Sequence, residues 1–166
     1  MSRALVLIGL GGNQGNRLAH LQTAARALAA HPALDFVRAS RIWESEYVGP
    51  CRQDPYLNAC VALRTDLGPA ALLAECRSLE RAAGRDDEVV VPHPRMRDRA
   101  FVLEPLCEIA PDLRFPDSGE TVAAACAKIR RKPGPWLRPR EDLSLMPGDP
   151  PFGGEVRGAA MAVHRR

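Results

Sequence analysis

The fold is decided by residues 4–10, which read Ala-Leu-Val-Leu-Ile-Gly-Leu. A short, unbroken apolar run of this kind predicts a strand that is buried on both faces. Residues 11–17, Gly-Gly-Asn-Gln-Gly-Asn-Arg, follow it and permit tight turns or a phosphate-binding loop. Their spacing matches neither the P-loop nor the dinucleotide fingerprint, so a plain strand-to-helix turn is favoured.

The elements after this strand follow from hydrophobic periodicity. Leu18, Leu21, Ala25 and Leu28 recur at helical spacing and predict the first helix. Residues 36–45 and 56–63 predict two strands, the second with strict alternation. Pro69 at a first helical position and Gly84 just past the end bracket a second helix, and residues 121–131 predict a last one.

The order strand, helix, strand, strand, helix predicts an α+β fold, a ferredoxin-like βαββαβ sandwich with helices on one face of an antiparallel sheet. The sixth element, a strand after Gly84, is only weakly indicated. We therefore expect this fold either to lack one strand or to rebuild it from elsewhere in the chain.

Length and composition indicate one globular domain with a tail. The chain has 166 residues, of which 46% are hydrophobic and 26% charged. We expect the domain to cover residues 1–131. Residues 132–166 are rich in proline and glycine and should form an irregular tail or fold back onto the sheet.

Several classes of protein are disfavoured. The five cysteines show no paired spacing, which argues against a disulfide framework or a zinc site and indicates a cytoplasmic protein. The apolar run at residues 4–10 is too short to span a bilayer and no signal peptide is recognisable. A net charge of +3 suits an anionic ligand but not a dedicated nucleic-acid binder. We expect a monomer that acts on small molecules, with no membrane or nucleic-acid partner.

A basic segment lies at residues 91–109, Val-Pro-His-Pro-Arg-Met-Arg-Asp-Arg-Ala-Phe-Val-Leu-Glu-Pro-Leu-Cys-Glu-Ile. If residues 96–103 are helical, Arg95 and Arg99 lie one turn apart and form a positive surface beside His93. Guanidinium groups match phosphate oxygens, and an imidazole can donate to the same ligand. A solvated basic helix end, with His93 capping a turn, is the alternative interpretation.

Tyr56 and Asn58 share one face of the predicted strand at residues 56–63. A ring that can stack, next to an amide with donors and an acceptor, suits a flat heterocycle with lactam-like edges. A cross-strand aromatic pair and an asparagine that satisfies a loop would explain the same residues equally well.

Several stretches together resemble the 6-hydroxymethyl-7,8-dihydropterin pyrophosphokinase family of folate synthesis. They occur in the family's order at residues 8–17, 53–59, 79–85, 92–103 and 108–111. The resemblance covers about residues 3–129. It implies an enzyme that moves the terminal pyrophosphate of ATP to the hydroxymethyl group of a reduced pterin with two Mg²⁺ ions.

The resemblance also implies roles for individual residues. Tyr56 and Phe101 would sandwich the pterin, Asn58 would hydrogen-bond its edge, and Ser45 and Val48 would add contacts from a loop. The nucleotide would be held by four residues, namely Glu80, Arg85, His93 and Arg99. Of these, Arg85, His93 and Arg99 would also carry catalysis.

One departure from the family concerns the metal site. After Gly84 and Arg85 the family has a Trp-x-Pro-Arg segment and then an Asp-x-Asp strand, both absent here from their usual place. Residues 135–146, Pro-Trp-Leu-Arg-Pro-Arg-Glu-Asp-Leu-Ser-Leu-Met, resemble a degraded copy, with Asp142 as a candidate metal ligand. Asp86 and Asp87 are the other candidates.

Both substitutes have plain explanations, since a proline-rich tail can match by accident and Asp86 and Asp87 can form a solvated acidic turn. The function therefore keeps an alternative. The chain would then be a catalytically impaired pterin- or nucleotide-binding homologue that has lost the two-metal site.

Overall fold

The computed structural model of the protein describes residues 3–82 and 96–146, and the backbone of residues 159–163. Its strands are β1 (Ala4–Gly12), β2 (Leu34–Ala39), β3 (Trp43–Ser45), β4 (Tyr56–Thr65), β5 (Leu137–Pro139) and β6 (Ala159–Val163). Its α-helices are α1 (Arg17–Ala30), α2 (Pro69–Ala82), α3 (Ala100–Ile109) and α4 (Val122–Ile129). The predicted α+β class is confirmed, and the predicted order of elements holds except that the second strand is divided into β2 and β3.

The sheet has six strands and is built around β1 and β4. These two run antiparallel over the whole of β1, from the pair Ala4 and Thr65 to the pair Gly12 and Leu57. On the far side of β4, β2 and β3 follow one another along the same edge. The ferredoxin-like arrangement of a helix-connected antiparallel sheet is therefore present.

The prediction of one unbroken strand over residues 36–45 is wrong, because the strand is interrupted between β2 and β3. At the break the Ser40 hydroxyl, rather than a backbone carbonyl, accepts the N–H of Cys60 at 2.8 Å. The N–H of Arg41 donates to the Glu108 carboxylate at 2.9 Å. Side-chain acceptors on Ser40 and on Glu108 of a distant helix thus take the place of backbone carbonyls at this point.

Alternation along the central strands creates a core on each side of the sheet. Leu5 and Leu7 face the core that contains α3 and α4. Val6 and Ile8 face the core formed with α1 and α2. All four side chains are buried, as predicted for a strand covered on both faces. We expected the helices to lie on one face of the sheet, and this holds for α1 and α2 only. The apolar residues of α3 and α4 pack against the opposite face.

Parts of the C-terminal tail join the sheet as β5 and β6, which corresponds to the second alternative for residues 132–166, a tail that folds back onto the sheet. β5 pairs antiparallel with β3, at the edge opposite β1. β6 pairs with β1 in the parallel sense, from the pair Leu5 and Ala159 to the pair Gly9 and Val163. A strand that followed α2 would run antiparallel to β1 at this edge. β6 instead follows β5 in the tail, so its direction is not fixed by a connection through α2.

The last helix, α4, is slightly shorter than the predicted range of residues 121–131, because its first residue follows an N-cap. Thr121 is the N-cap of α4, and its hydroxyl accepts the N–H of Ala124 at 3.2 Å. α2 begins at Pro69 as predicted, while Gly84 lies outside the described residues. Within the part of the chain that is described, no helix combines the length and apolarity that a membrane crossing requires.

Candidate functional site

A cavity of about 260 Å³ opens between the α3 face of the sheet and the first turns of α3. It is bounded by β1, β4, α3, the loop after β3 and the start of the tail. The predicted pterin-binding residues all line it, namely Ser45, Val48, Tyr56, Asn58 and Phe101. These five residues come from three separate stretches of the chain, at 45–48, 56–58 and 101.

Asn58 is held firmly in the floor of this cavity. The side chain is 5% exposed, and its Nδ2 donates to the Ser45 hydroxyl at 3.0 Å and to the Trp43 carbonyl at 3.4 Å. Gly11 on the neighbouring strand leaves room for the amide, since a Cβ there would lie 3.2 Å from Asn58 Oδ1. Asn58 therefore does satisfy neighbouring groups of the chain, as the alternative interpretation of this residue expected. It also faces the cavity.

The Tyr56 ring forms an aromatic pair in the same cavity. Its partner is Tyr47, whose ring lies at 15° to that of Tyr56 with the centroids 6.2 Å apart. Tyr47 also lines the cavity. Sequence reasoning missed Tyr47, although its place between Ser45 and Val48 was an available signal.

The start of α3 presents a guanidinium beside the Phe101 ring. Arg99 is the N-cap in an extended conformation, with φ −129° and ψ 106°, and its guanidinium carbon lies 5.8 Å from the Phe101 centroid. Residues 96–103 therefore do not form one continuous helix, and the condition for placing Arg95 and Arg99 one helical turn apart is not met. Met96–Asp98 forms a 3-10 turn, and Arg99 separates this turn from α3.

The buried end of Arg99 is suited to an anion. Its Nη1 is buried and has no hydrogen-bond partner among the residues that the structure describes. A buried donor without a partner is costly, which favours an acceptor from a ligand or a neighbouring segment. Arg97, by contrast, pairs with Asp117 and lies 4.3 Å from the Phe115 centroid, so its charge is already engaged.

Glu80 lies on the opposite face of the sheet. It lines a smaller cavity of about 90 Å³ between β1, α1 and α2. Leu10 and Gly11, at the end of β1, line both cavities. The remaining predicted nucleotide residues, Arg85 and His93, and Arg95 as well, fall outside the described residues.

Beneath the loop after β3, an ion-pair cluster anchors the tail. Glu44 is 4% exposed and contacts Arg138 at 2.6 Å, Arg17 at 3.3 Å and Arg140 at 3.3 Å. Burial alone would raise the pKa of Glu44. The Arg138 hydrogen bond and the charges of Arg140, Arg138 and Arg17 outweigh it, so the pKa lies below its ordinary value. Three arginines therefore keep a buried carboxylate ionised.

Asp142, one of the candidate metal ligands, is paired with an arginine in this structure. Its two oxygens accept from Nε and Nη2 of Arg140 at 2.8 and 2.6 Å. This hydrogen bonding lowers the pKa of Asp142 to about 2. No group of three or more His, Cys, Asp or Glu side chains suited to a metal occurs among residues 3–82 and 96–146. Asp86 and Asp87 lie outside these ranges.

Comparison with known proteins gives consistent results. The sequence model of a family described as 7,8-dihydro-6-hydroxymethylpterin-pyrophosphokinase matches residues 7–111. Three relatives carry the name 2-amino-4-hydroxy-6-hydroxymethyldihydropteridine pyrophosphokinase. The relative from Methylorubrum extorquens is 40% identical over 153 residues, covering 78% of this chain and 94% of that protein.

The two other relatives are more distant. The one from Synechocystis is 36% identical, covering 70% of this chain and 71% of its own length. The one from Bacillus subtilis is 34% identical, with 63% and 77% covered. The family match contains every residue that lines the larger cavity except Pro135. It ends before β5 and β6.

Proposed function

Because the chain belongs to the 7,8-dihydro-6-hydroxymethylpterin-pyrophosphokinase family, we propose that it is the enzyme of folate synthesis that pyrophosphorylates 6-hydroxymethyl-7,8-dihydropterin with ATP. The hydroxymethyl oxygen attacks the β-phosphorus and loses its proton. The bond from that phosphorus to the bridging α,β-oxygen breaks, and AMP leaves. The observation that carries the proposal is the shared cavity of Tyr56, Asn58 and Phe101 in a chain of this family.

The heterocycle of the pterin occupies the larger cavity in this proposal. Tyr56 and Phe101 supply rings from two separate elements, and aromatic faces bind flat conjugated systems by stacking. The volume of about 260 Å³ lies just below the range of about 300 to 1,000 Å³ that is usual for small-molecule sites. Ser45 at the end of β3 and Val48 on the loop after it border the heterocycle, and Asn58 lies at its edge.

The polyphosphate of ATP lies beside Arg99 in this proposal. The unpartnered Nη1 of Arg99 supports it, because guanidinium groups pair strongly with phosphate oxygens. Arg85 and His93 act with Arg99 on the transferred group, and Glu80 holds the nucleotide; these three roles rest on the family resemblance. Catalysis then comes from positioning and from positive charge near the β-phosphorus.

We propose that Mg²⁺ accompanies ATP, as the resemblance implies. Mg²⁺ in phosphate sites is held by one or two carboxylates together with ligand phosphates and waters. Asp142 is paired with Arg140 in this structure and would exchange that partner on binding the metal. The candidate carboxylates from the sequence are Asp142, Asp86 and Asp87.

Turnover and binding measured side by side test the function. The protein is incubated with ATP, MgCl₂ and 6-hydroxymethyl-7,8-dihydropterin, and AMP and the pterin pyrophosphate ester are quantified. We expect the two products in equal amounts. Calorimetric titration of the pterin in parallel separates the alternatives. Binding without AMP release would support the catalytically impaired homologue, and neither binding nor release would overturn the assignment.

We further propose that the protein works as a monomer in the cytoplasm. All five cysteines are free thiols, as expected for a reducing compartment. Sedimentation at several concentrations tests the oligomeric state.

A further inference from the structure

Among the described residues that line the larger cavity, Tyr47 is the one aromatic residue that neither its sequence pattern nor the family resemblance assigned to a ligand. Its ring is almost parallel to that of Tyr56, with an interplanar angle of 15° and a centroid separation of 6.2 Å. Both rings line the same space as Phe101. A flat ligand that reaches Tyr56 therefore also meets Tyr47.

The backbone that carries Tyr47 is held on both sides. Ser45 is 3% exposed and pairs across β3 with Tyr56 of β4 and Leu137 of β5. The N–H of Glu46 donates to the Trp136 carbonyl at 3.1 Å. The residues before Tyr47 are thus fixed to two strands, and the position of the ring depends on the residues after it.

Gly49 provides the space that the ring uses. A Cβ at Gly49 would lie 2.2 Å from the Tyr47 hydroxyl oxygen and 2.4 Å from Cζ. Real side chains do not tolerate such distances, so any larger residue at position 49 excludes this position of the ring. Because the clash involves the outer end of the Tyr47 side chain, an alanine at 49 would turn the ring away and leave the backbone in place.

We propose that Tyr47 is a third aromatic contact of the pterin heterocycle, held over the Tyr56 platform by the gap at Gly49. In the unliganded cavity its ring covers part of Tyr56. When the heterocycle enters, Tyr47 packs against it and adds to binding of the pterin without taking part in pyrophosphate transfer. This inference rests on the proposed function, since it names a further residue of the same site.

Four variants test it. Tyr47→Phe keeps the ring, Tyr47→Leu removes the ring but keeps an apolar side chain, Gly49→Ala displaces the ring, and Cys51→Ser is a control in the same loop. Cys51 is exposed and does not line the cavity. The readouts are the Kd for 6-hydroxymethylpterin, which reports binding without turnover, the KM of each substrate, kcat, and the melting temperature.

We expect Tyr47→Leu and Gly49→Ala to raise the pterin Kd and KM roughly tenfold, or about 1.4 kcal/mol. The KM for ATP, kcat and the melting temperature should stay near wild type. Tyr47→Phe and Cys51→Ser should bind the pterin normally. A merely structural role would lower the melting temperature and change both KM values together.

Two results would overturn the inference while leaving the proposed function intact. One is pterin binding by Tyr47→Leu within twofold of wild type. The other is normal binding by Gly49→Ala, which would show that the gap does not hold the ring in a productive position. If the wild-type protein neither binds the pterin nor releases AMP, the proposed function and this inference both fail.

Discussion

At the residue scale, Arg99 links the two halves of the proposed site. Its guanidinium is near the Phe101 ring, and one of its nitrogens is buried without a partner in the described part of the chain. A planar fork of donors in such a place is suited to phosphate oxygens, whereas an ammonium group would supply charge with less defined geometry.

We predict that Arg99→Ala lowers kcat/KM for ATP roughly a hundredfold, or about 2.7 kcal/mol. Arg99→Lys should fall between this variant and wild type, because it keeps the charge and loses the fork. Steady-state kinetics with ATP as the varied substrate provide the measurement. Arg52→Ala, an exposed arginine on the loop before β4, serves as the control. A pterin Kd that rises as much as the KM for ATP would contradict a role on the nucleotide side.

At the element scale, the short strand β5 is held in the sheet by ion pairs of its side chains more than by its backbone hydrogen bonds to β3. It spans only Leu137–Pro139, yet Arg138 and Arg140 place positive charge on either side of the buried Glu44 carboxylate. Pro135 of the same segment lines the larger cavity. The cluster therefore connects the tail to the end of β3 at Ser45 and to the loop after it that carries Tyr47 and Val48.

We predict that Glu44→Gln destabilises the protein by roughly 2 to 3 kcal/mol, because three arginines lose a common buried counter-charge. Urea unfolding measures the free energy. Faster hydrogen exchange at the N–H groups of Glu46 and Arg140, which bond across β3 and β5, would locate the change. Glu75→Gln is the control, since this carboxylate is 44% exposed and pairs only with His31 in the described chain. Equal stability of the two variants would contradict the anchoring role.

The same cluster predicts a pH dependence. The pKa values of Glu44 and Asp142 are lower in the folded protein than their ordinary values, chiefly because of arginine contacts against the opposing effect of burial. The unfolded chain therefore takes up protons first on acidification. This contribution to stability is complete above the ordinary carboxyl range and is lost as the pH falls toward about 2, the folded pKa of Asp142.

We expect the melting temperature to fall as the pH is lowered through this range, and the double variant Glu44→Gln with Asp142→Asn to show a shallower fall. Thermal unfolding at a series of pH values gives the comparison. A double variant whose curve runs parallel to that of wild type would show that these two carboxylates do not contribute.

At the scale of the whole molecule, the sheet contains strands that lie beyond the part of the sequence that matches the family. The match stops at residue 111, whereas β5 and β6 beyond it form the two outer strands on the β3 and β1 edges. β5 supports the cavity loop, and β6 covers the edge of the central strand β1. The two strands should therefore contribute differently to binding and to stability.

Two truncations separate these contributions. A chain of residues 1–146 keeps β5 and loses β6; we predict a lower melting temperature and a tendency to aggregate, because the edge of β1 is left unpaired. Its pterin Kd should stay near that of the full chain. A chain of residues 1–131 loses β5 as well and should bind the pterin more weakly. Calorimetry on both chains measures this, and equal Kd values for the two would contradict a role of β5 in the cavity.

Local patterns in the sequence determined β1, α1, β4 and α2, because strand alternation and helical spacing depend only on neighbouring residues. They also placed Tyr56 and Asn58 on one face. Tertiary contacts decided the rest. The break between β2 and β3 depends on Glu108 of α3, and the stacking of Tyr47 on Tyr56 depends on the space at Gly49. The docking of the tail depends on the buried charge of Glu44. Each of these contacts joins residues from different elements of the fold, and the periodicity of the sequence does not predict contacts of that kind.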